Sequence, residues 1–109
     1  MHYQHRTLAA GGWSRLSLAE QLGNIGSEVE RALQWREKDQ KLYRGAVSRV
    51  FELLDFTIRD ARWRTRLKEL MRVREVLADA VLGGKEYKSS LEDIEGYFFQ
   101  FALAARIRK

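Results

Sequence analysis

The chain has 109 residues, contains neither cysteine nor proline, and carries a net charge of +5 with an isoelectric point near 9.8. One domain is expected at this length, and an apolar content of 45% is enough to build its core. Without cysteine there is no disulfide and no thiol chemistry, and no run of residues is apolar over the roughly 18 positions that a membrane span requires. We therefore expect a cytoplasmic protein with no membrane partner, whose positive charge favours an acidic partner.

The first predicted helix begins after Ser17 and ends near Arg36. Ser17 and Glu20 have the spacing of a capping box, in which each side chain accepts a hydrogen bond from the other residue's backbone N–H. Residues 1–13 are predicted to be a tail, and residues 14–109 the folded domain. The apolar residues of the first helix recur three or four positions apart, so they form one stripe: Leu18, Leu22, Ile25, Val29, Ala32 and Leu33.

Three further helices follow the same logic. Asp39 is predicted to cap the second and Asp60 the third, which ends at Gly83 and Gly84; Ser89 and Glu92 form a second capping box before the fourth. Since prolines are absent, each helix is expected to be uninterrupted. Short connections make successive helices antiparallel neighbours, which predicts an all-α, up-down-up-down four-helix bundle.

Two glycines, Gly23 and Gly26, lie in the middle of the first helix, where each costs roughly 1 kcal/mol relative to alanine. They flank the apolar stripe and leave a smooth surface that another backbone can approach closely. Three explanations are open: a neighbouring helix of the bundle crosses there, a second subunit packs there, or nucleic acid or another partner binds there.

The sequence Asn24 to Glu28, NIGSE, resembles the NIAEG helix signature of the four-helix-bundle proteins encoded in ribosomal-RNA intervening sequences. Relatives of that family include the accessory variability proteins (Avd) of diversity-generating retroelements. The glutamate lies one residue later here, and no glycine follows it. The resemblance implies a homo-oligomer with a basic surface that binds RNA or DNA and, in some members, a reverse transcriptase.

Basic residues are concentrated between positions 59 and 74, where seven occur against two acidic residues, so this stretch alone carries +5. Arginine suits bidentate contact with phosphate, and a continuous helix would place these side chains on adjacent strips. Trp63 lies within the run and either stacks on a base or belongs to the core. An ordinary solvated surface is the alternative for the whole run. The predicted nucleic-acid-binding residues are Arg59, Arg62, Arg64, Arg66, Lys68 and Arg72.

Arg74 falls on the core side of the third helix, between Leu70 and Leu77. A buried charge requires a partner, and Glu28 is the predicted one, with Glu30 and Glu75 as alternatives. The pair is interpreted either as a structural ion pair or as an acid–base or phosphate site inside the bundle.

The fourth helix is apolar on more than one side. Phe99 and Leu103 project away from its core residues, which predicts a second buried contact. With Gly23 and Gly26 they are the candidate oligomer interface. The alternative is that the tail covers them, through Leu8 and Trp13.

No enzyme site is predicted. The two histidines, His2 and His5, lie in the tail, and the sequence has no glycine-rich phosphate loop and no Glu-x-x-His motif. Glu28, Glu75 and Asp79 do not clearly converge on a metal site. We therefore expect a non-enzymatic, homo-oligomeric accessory protein, without metal or cofactor, that binds the backbone of RNA or DNA. A protein–protein scaffold with no nucleic-acid role is the alternative.

Overall fold

A computed structural model describes residues 12–84 and 89–107, apart from the side chains of 102 and 104–107. Within these ranges the chain is helical and contains no strand, which confirms the predicted all-α class. The four α-helices are α1 (Leu18–Trp35), α2 (Gln40–Arg59), α3 (Leu67–Val81) and α4 (Leu91–Ile107). Two short 3-10 helices, Trp13–Arg15 and Ala61–Arg66, precede α1 and α3.

Side chains cap the helices largely as the sequence predicts. The Ser17 hydroxyl accepts from the Glu20 backbone N–H at 3.1 Å, and the Glu20 carboxylate accepts from the Ser17 N–H at 2.8 Å. Asp39 caps α2 by accepting from the Leu42 N–H at 3.0 Å. The left-handed C-cap after α3 is also confirmed, because Gly83 and Gly84 have φ values of 117° and 74°.

The cap of α4 lies one residue later than predicted. Ser90 and Asp93 form the reciprocal pair, with distances of 3.1 and 3.0 Å, in place of Ser89 and Glu92. Glu92 extends instead to Arg36 at the end of α1, where a guanidinium nitrogen lies 2.6 Å from its carboxylate. The prediction was wrong because aspartate serves the same capping role as glutamate here, and the two boxes overlap in sequence.

The core surrounds α1, which makes its most extensive contacts with α2 and α4. α3 packs less extensively, on α2 and α4. Trp13 is 4% exposed and belongs to this core, so the predicted tail extends too far by at least that residue. The other buried apolar residues are Leu18, Leu22, Ile25, Val29, Ala32, Ala46, Val50, Leu53, Leu54, Leu70, Leu77, Leu91, Ile94 and Phe98.

The predicted third helix is interrupted. Asp60 accepts from the Arg62 backbone N–H at 3.1 Å and so caps the 3-10 helix Ala61–Arg66. Trp63 then leaves helical geometry, with φ −103° and ψ 23°, and the α-helix begins only at Leu67. The expectation of one continuous helix that carries the basic residues from position 59 onward on adjacent strips is therefore wrong, since the α-helix begins only after Arg66.

Gly26 marks the closest approach of α1 and α4. A Cβ atom built on Gly26 would lie 2.7 Å from the Cβ of Phe98, well inside van der Waals contact. Gly23 and Gly26 are both buried within the chain. For Gly26 this selects the first of the three explanations, a neighbouring helix of the same chain, over the predicted subunit contact.

None of the described helices is long and apolar enough to cross a membrane.

Replacement of Gly26 by valine should destabilise the fold by about 2 kcal/mol or more, because the added atoms collide with a backbone-proximal atom of Phe98 that cannot rotate away. Gly45→Ala is the matched control on α2. There the nearest atom to a new Cβ is the mobile end of Arg49, at 3.6 Å, so alanine should stabilise by about 0.5–1 kcal/mol. Urea unfolding of both variants measures the two free energies, and a Gly26→Val protein as stable as the parent would contradict the close helix contact.

Candidate nucleic-acid interface

Three basic side chains recur every fourth residue along the outer side of α3 and the turn before it. Arg64, Lys68 and Arg72 line one shallow concave surface together with Leu67 and Met71. These five residues are called the α3 face below. The 3-10 geometry before Leu67 does not separate Arg64 from the other two, so this part of the predicted basic surface is brought together.

Arg64 and Lys68 are exposed, and neither side chain forms an ion pair or hydrogen bond with another described residue. Arg59 is also exposed, and its guanidinium lies 5.4 Å from the centre of the Phe56 ring. A cation that has no carboxylate partner keeps its full attraction for a phosphate. Arg64 and Lys68 are therefore the residues of the predicted set best prepared to bind an anion.

Arg62 and Arg66 are different, because each already has an acidic partner. Arg62 lies 2.7 Å from Asp60 and also donates to the backbone oxygen of Leu16 at 2.8 Å. Arg66 lies 2.7 Å from Glu69. These hydrogen bonds to carboxylates raise the pKa of both guanidinium groups. A phosphate would have to displace the carboxylates, so the sequence prediction overcounts the available cations by these two.

Trp63 does not present a free ring for stacking. The Arg62 guanidinium covers it, 4.4 Å from the ring centre, and its indole N–H donates to the Gln21 side-chain oxygen at 3.0 Å. Of the two interpretations given for Trp63, the structural one is therefore favoured, with the ring packed at the edge of the core.

Gln21 is the residue that holds this region together, and sequence analysis missed it. Its side chain is completely buried, and its amide nitrogen donates to the Trp13 backbone oxygen at 2.8 Å and to Asp60 at 3.2 Å. Trp13 in turn donates through its indole to the hydroxyl of Thr57, at 3.1 Å. A signal was available, since Gln21 lies beside Leu22 on the apolar side of α1, where a polar side chain requires buried partners.

Arg74 does not pair with Glu28, so the predicted buried ion pair is wrong. Arg74 contacts Asp55 on α2 at 2.7 Å, and its side chain is 40% exposed. Glu28 is 7% exposed and pairs with Arg49 on α2, at 3.1 Å, and with Arg31, at 2.9 Å. The largely buried Glu28–Arg49 pair therefore joins α1 to α2. Among the described helices, α3 makes its more extensive contacts with α2 and α4.

Phe99 and Leu103 on α4 are 53% and 41% exposed. They point away from the core, as predicted, and Phe99 lines a groove beside Gly23 and Gly26. Trp13 is buried elsewhere and does not cover them, which removes half of the alternative that relied on the tail; Leu8 lies outside the described residues.

A cavity of about 230 Å³ between α3 and α4 is lined mainly by Val73, Val76, Ile94 and Tyr97. The Tyr97 hydroxyl donates to Glu69 at 3.0 Å, and burial together with this hydrogen bond raises the pKa of Tyr97 to about 12. Tyr97 therefore stays protonated at neutral pH. In the described part of the chain, no three His, Asp or Glu side chains are grouped closely enough to hold a metal ion; His2 and His5 lie outside that part.

Replacement of Asp60 by asparagine tests how much the Asp60–Arg62 ion pair stabilises the turn before α3. The hydrogen bonds from Arg62 lower the pKa of Asp60 to about 2, from its ordinary value of 3.8. Because the folded-state pKa is the lower one, the carboxylate stabilises the fold fully above about pH 4, and this contribution disappears as the pH falls towards 2. We expect Asp60→Asn to lose about 1–2 kcal/mol at pH 7, a value reduced for solvent screening, and to match the parent at pH 2.

The matched control is Asp39→Asn, which changes a capping carboxylate that contacts no arginine among the described residues. Asparagine caps nearly as well as aspartate, so the stability of this variant relative to the parent should change little between these pH values. Urea unfolding at pH 7, 4 and 2 gives the comparison. A deficit in Asp60→Asn that persists unchanged at pH 2 would show that charge at Asp60 is not its source.

No protein-family model, curated protein or solved structure matches this chain.

Proposed function

We propose that this protein is a non-enzymatic accessory protein that binds the backbone of RNA or DNA through the α3 face. The observation that carries the proposal is the row of Arg64, Lys68 and Arg72 on one concave surface, in which two of the three cations have no acidic partner among the described residues. Arg59, exposed at the end of α2, adds a fourth positive charge nearby in sequence.

The spacing of the row suits a polyanion. Residues four apart on an α-helix are separated by about 6 Å along its axis, which is comparable with the distance between successive phosphates of one strand. Each cation can therefore meet its own phosphate, and such contacts carry affinity without reading sequence. Since Arg62 and Arg66 are ion-paired, only about three or four phosphates are neutralised by each copy of the chain.

We also propose that the four helices are arranged antiparallel, up-down-up-down. The pairs Gln21–Asp60 and Glu28–Arg49 support this for α1 and α2, because residue numbers rise along one helix as they fall along the other. Arg36–Glu92 and the approach of Gly26 to Phe98 support it in the same way for α1 and α4.

A homo-oligomer is the third part of the proposal. Phe99 and Leu103 support it, because two large apolar side chains four residues apart on α4 are exposed beside a groove. A second copy covering them would extend the number of α3 faces available to one strand. A reverse transcriptase partner is proposed only because the family resemblance implies one. A cytoplasmic location is proposed from the composition, since the sequence contains no cysteine.

Charge reversal on the α3 face should weaken binding strongly. We expect Arg64→Glu with Lys68→Glu to weaken binding of a fluorescein-labelled oligonucleotide at least about 30-fold at 50 mM salt, because two attractive contacts become repulsive. The control pair, Lys41→Glu with Arg44→Glu, makes the same change of charge at exposed sites on α2 and should weaken binding only slightly. Arg62→Gln should likewise have little direct effect on affinity. Fluorescence anisotropy measures the affinity of all three variants. Equal losses of affinity in both double variants would show that binding depends on the net charge of the protein and not on the α3 face.

The salt dependence gives the number of phosphates in contact. For three or four neutralised phosphates, the slope of log affinity against log salt should lie between about −2 and −3.5, depending on whether the strand is single or double. A parent protein that binds no oligonucleotide at low salt, yet binds one acidic protein in a saturable way, would overturn this function in favour of the protein–protein scaffold.

The oligomer is tested separately by Phe99→Glu with Leu103→Glu. Two carboxylates placed on an apolar contact should convert the parent multimer to a monomer, as measured by light scattering, while helicity measured by circular dichroism stays unchanged. Gln100→Glu, on an exposed neighbouring position of α4, is the control and should leave the mass unaltered. A monomeric parent would contradict the oligomer directly.

A further inference from the structure

Two large apolar side chains lie in the middle of the basic row. Leu67 is 39% exposed and Met71 is 44% exposed, and both line the same concavity as Arg64, Lys68 and Arg72. Leu70 and Leu77, each 1% exposed, are the α3 side chains buried in the core. Leu67 and Met71 therefore make no comparable contribution to the core, and phosphate contacts alone give them no role.

A double helix is a poor match for such a mixed surface. It presents phosphates and sugars outward and keeps the faces of its bases stacked inside, so apolar side chains between the cations meet mainly charged or hydrated groups. A single strand is different, because its bases can turn outward and their flat faces can cover apolar side chains while the phosphates stay beside the cations. Met71 adds a polarisable sulfur, which makes favourable contacts with aromatic rings.

We infer that the ligand of the α3 face is single-stranded nucleic acid, with bases resting on Leu67 and Met71 and the phosphates held by Arg64, Lys68 and Arg72. This inference rests on the proposed function. The contacts with bases are apolar, and besides the cations the concavity offers one further side-chain hydrogen-bond donor, the Thr65 hydroxyl. Binding therefore depends on strandedness more than on sequence.

The extent of the face sets the size of the site. From Arg64 to Arg72 the chain passes from the 3-10 helix into α3 and rises about 13 Å, which corresponds to about three nucleotides of an extended strand. Glu75 lines the far end of the same concavity. One copy of the chain therefore holds a short segment, and tight binding requires several copies on one strand.

The test compares single and double strands of the same length. A fluorescein-labelled mixed-sequence RNA of about 12 nucleotides, its DNA equivalent, and each strand's blunt duplex are titrated with the full chain at 50 mM salt, and anisotropy is recorded. We expect the single strands to bind at least about tenfold more tightly than the duplexes.

Leu67→Ser with Met71→Ser should reduce single-strand affinity about tenfold and leave duplex affinity unchanged. The control Leu82→Ser removes a leucine that is 81% exposed but lies beyond the face, and it should change neither affinity. Circular dichroism establishes that each variant remains folded.

Three results distinguish the two levels of the proposal. This inference would be overturned if duplexes bound as tightly as single strands, or if the double serine variant kept the single-strand affinity of the parent. The proposed function would survive either result, provided that Arg64→Glu with Lys68→Glu still weakened binding. Absence of binding to any of the four probes would overturn the proposed function and this inference together. Tighter binding of an acidic helical peptide than of either RNA or DNA, with the same sensitivity to Leu67 and Met71, would assign the face to a protein partner and overturn both.

Discussion

The buried amide of Gln21 is the interaction on which the geometry of the basic region depends. Three partners converge on it: the Trp13 carbonyl oxygen, the Asp60 carboxylate and the Trp63 indole. A polar group with no exposure must keep such partners, because leaving one of them unsatisfied costs about 1–3 kcal/mol. The N-terminal 3-10 helix, the end of α2 and the 3-10 helix before α3 are thereby fixed to one point on α1, and the chain after Arg59 cannot simply continue as helix.

This constraint also decides which cations remain available. Asp60 accepts a hydrogen bond from Gln21 and forms an ion pair with Arg62, and Arg62 in turn covers the ring of Trp63. Arg62 and Trp63 are therefore engaged in contacts within the fold that stabilise the turn before α3. Arg66 in turn forms an ion pair with Glu69. Arg64 and Lys68 are the residues of the row whose side chains have no acidic partner in the described part of the chain. The net charge of a sequence segment is therefore a poor measure of its capacity to bind phosphate, because ion pairs within the fold subtract from it.

Features that depend on neighbours in sequence were predictable, and those that depend on distant partners were not. The Ser17 box, the Asp39 cap and the apolar stripe of α1 follow from local chemistry, and the structure has all three. The break before α3 carries no proline or glycine, and the spacing of Trp63, Leu67 and Leu70 fits an unbroken helix, so only the contact with Gln21 reveals it. The partner of Arg74 depended equally on which helices are neighbours: Asp55 on α2 is within reach and Glu28 on α1 is not.

The close packing of α1 and α4 at Gly26 bears on how the two proposed surfaces relate. It turns Phe98 into the core, and the helical order then directs Tyr97 towards Glu69 on α3 and Phe99 to the groove beside Gly23 on the α1 side. The exposed apolar side of α4 and the basic side of α3 are thus on different surfaces, and occupation of one leaves the other open. Under the proposed function, a face with room for only about three nucleotides would bind weakly alone. If the proposed function holds, joined copies would raise the effective concentration of such faces along one strand, and self-association through α4 would supply the affinity that a single α3 face lacks.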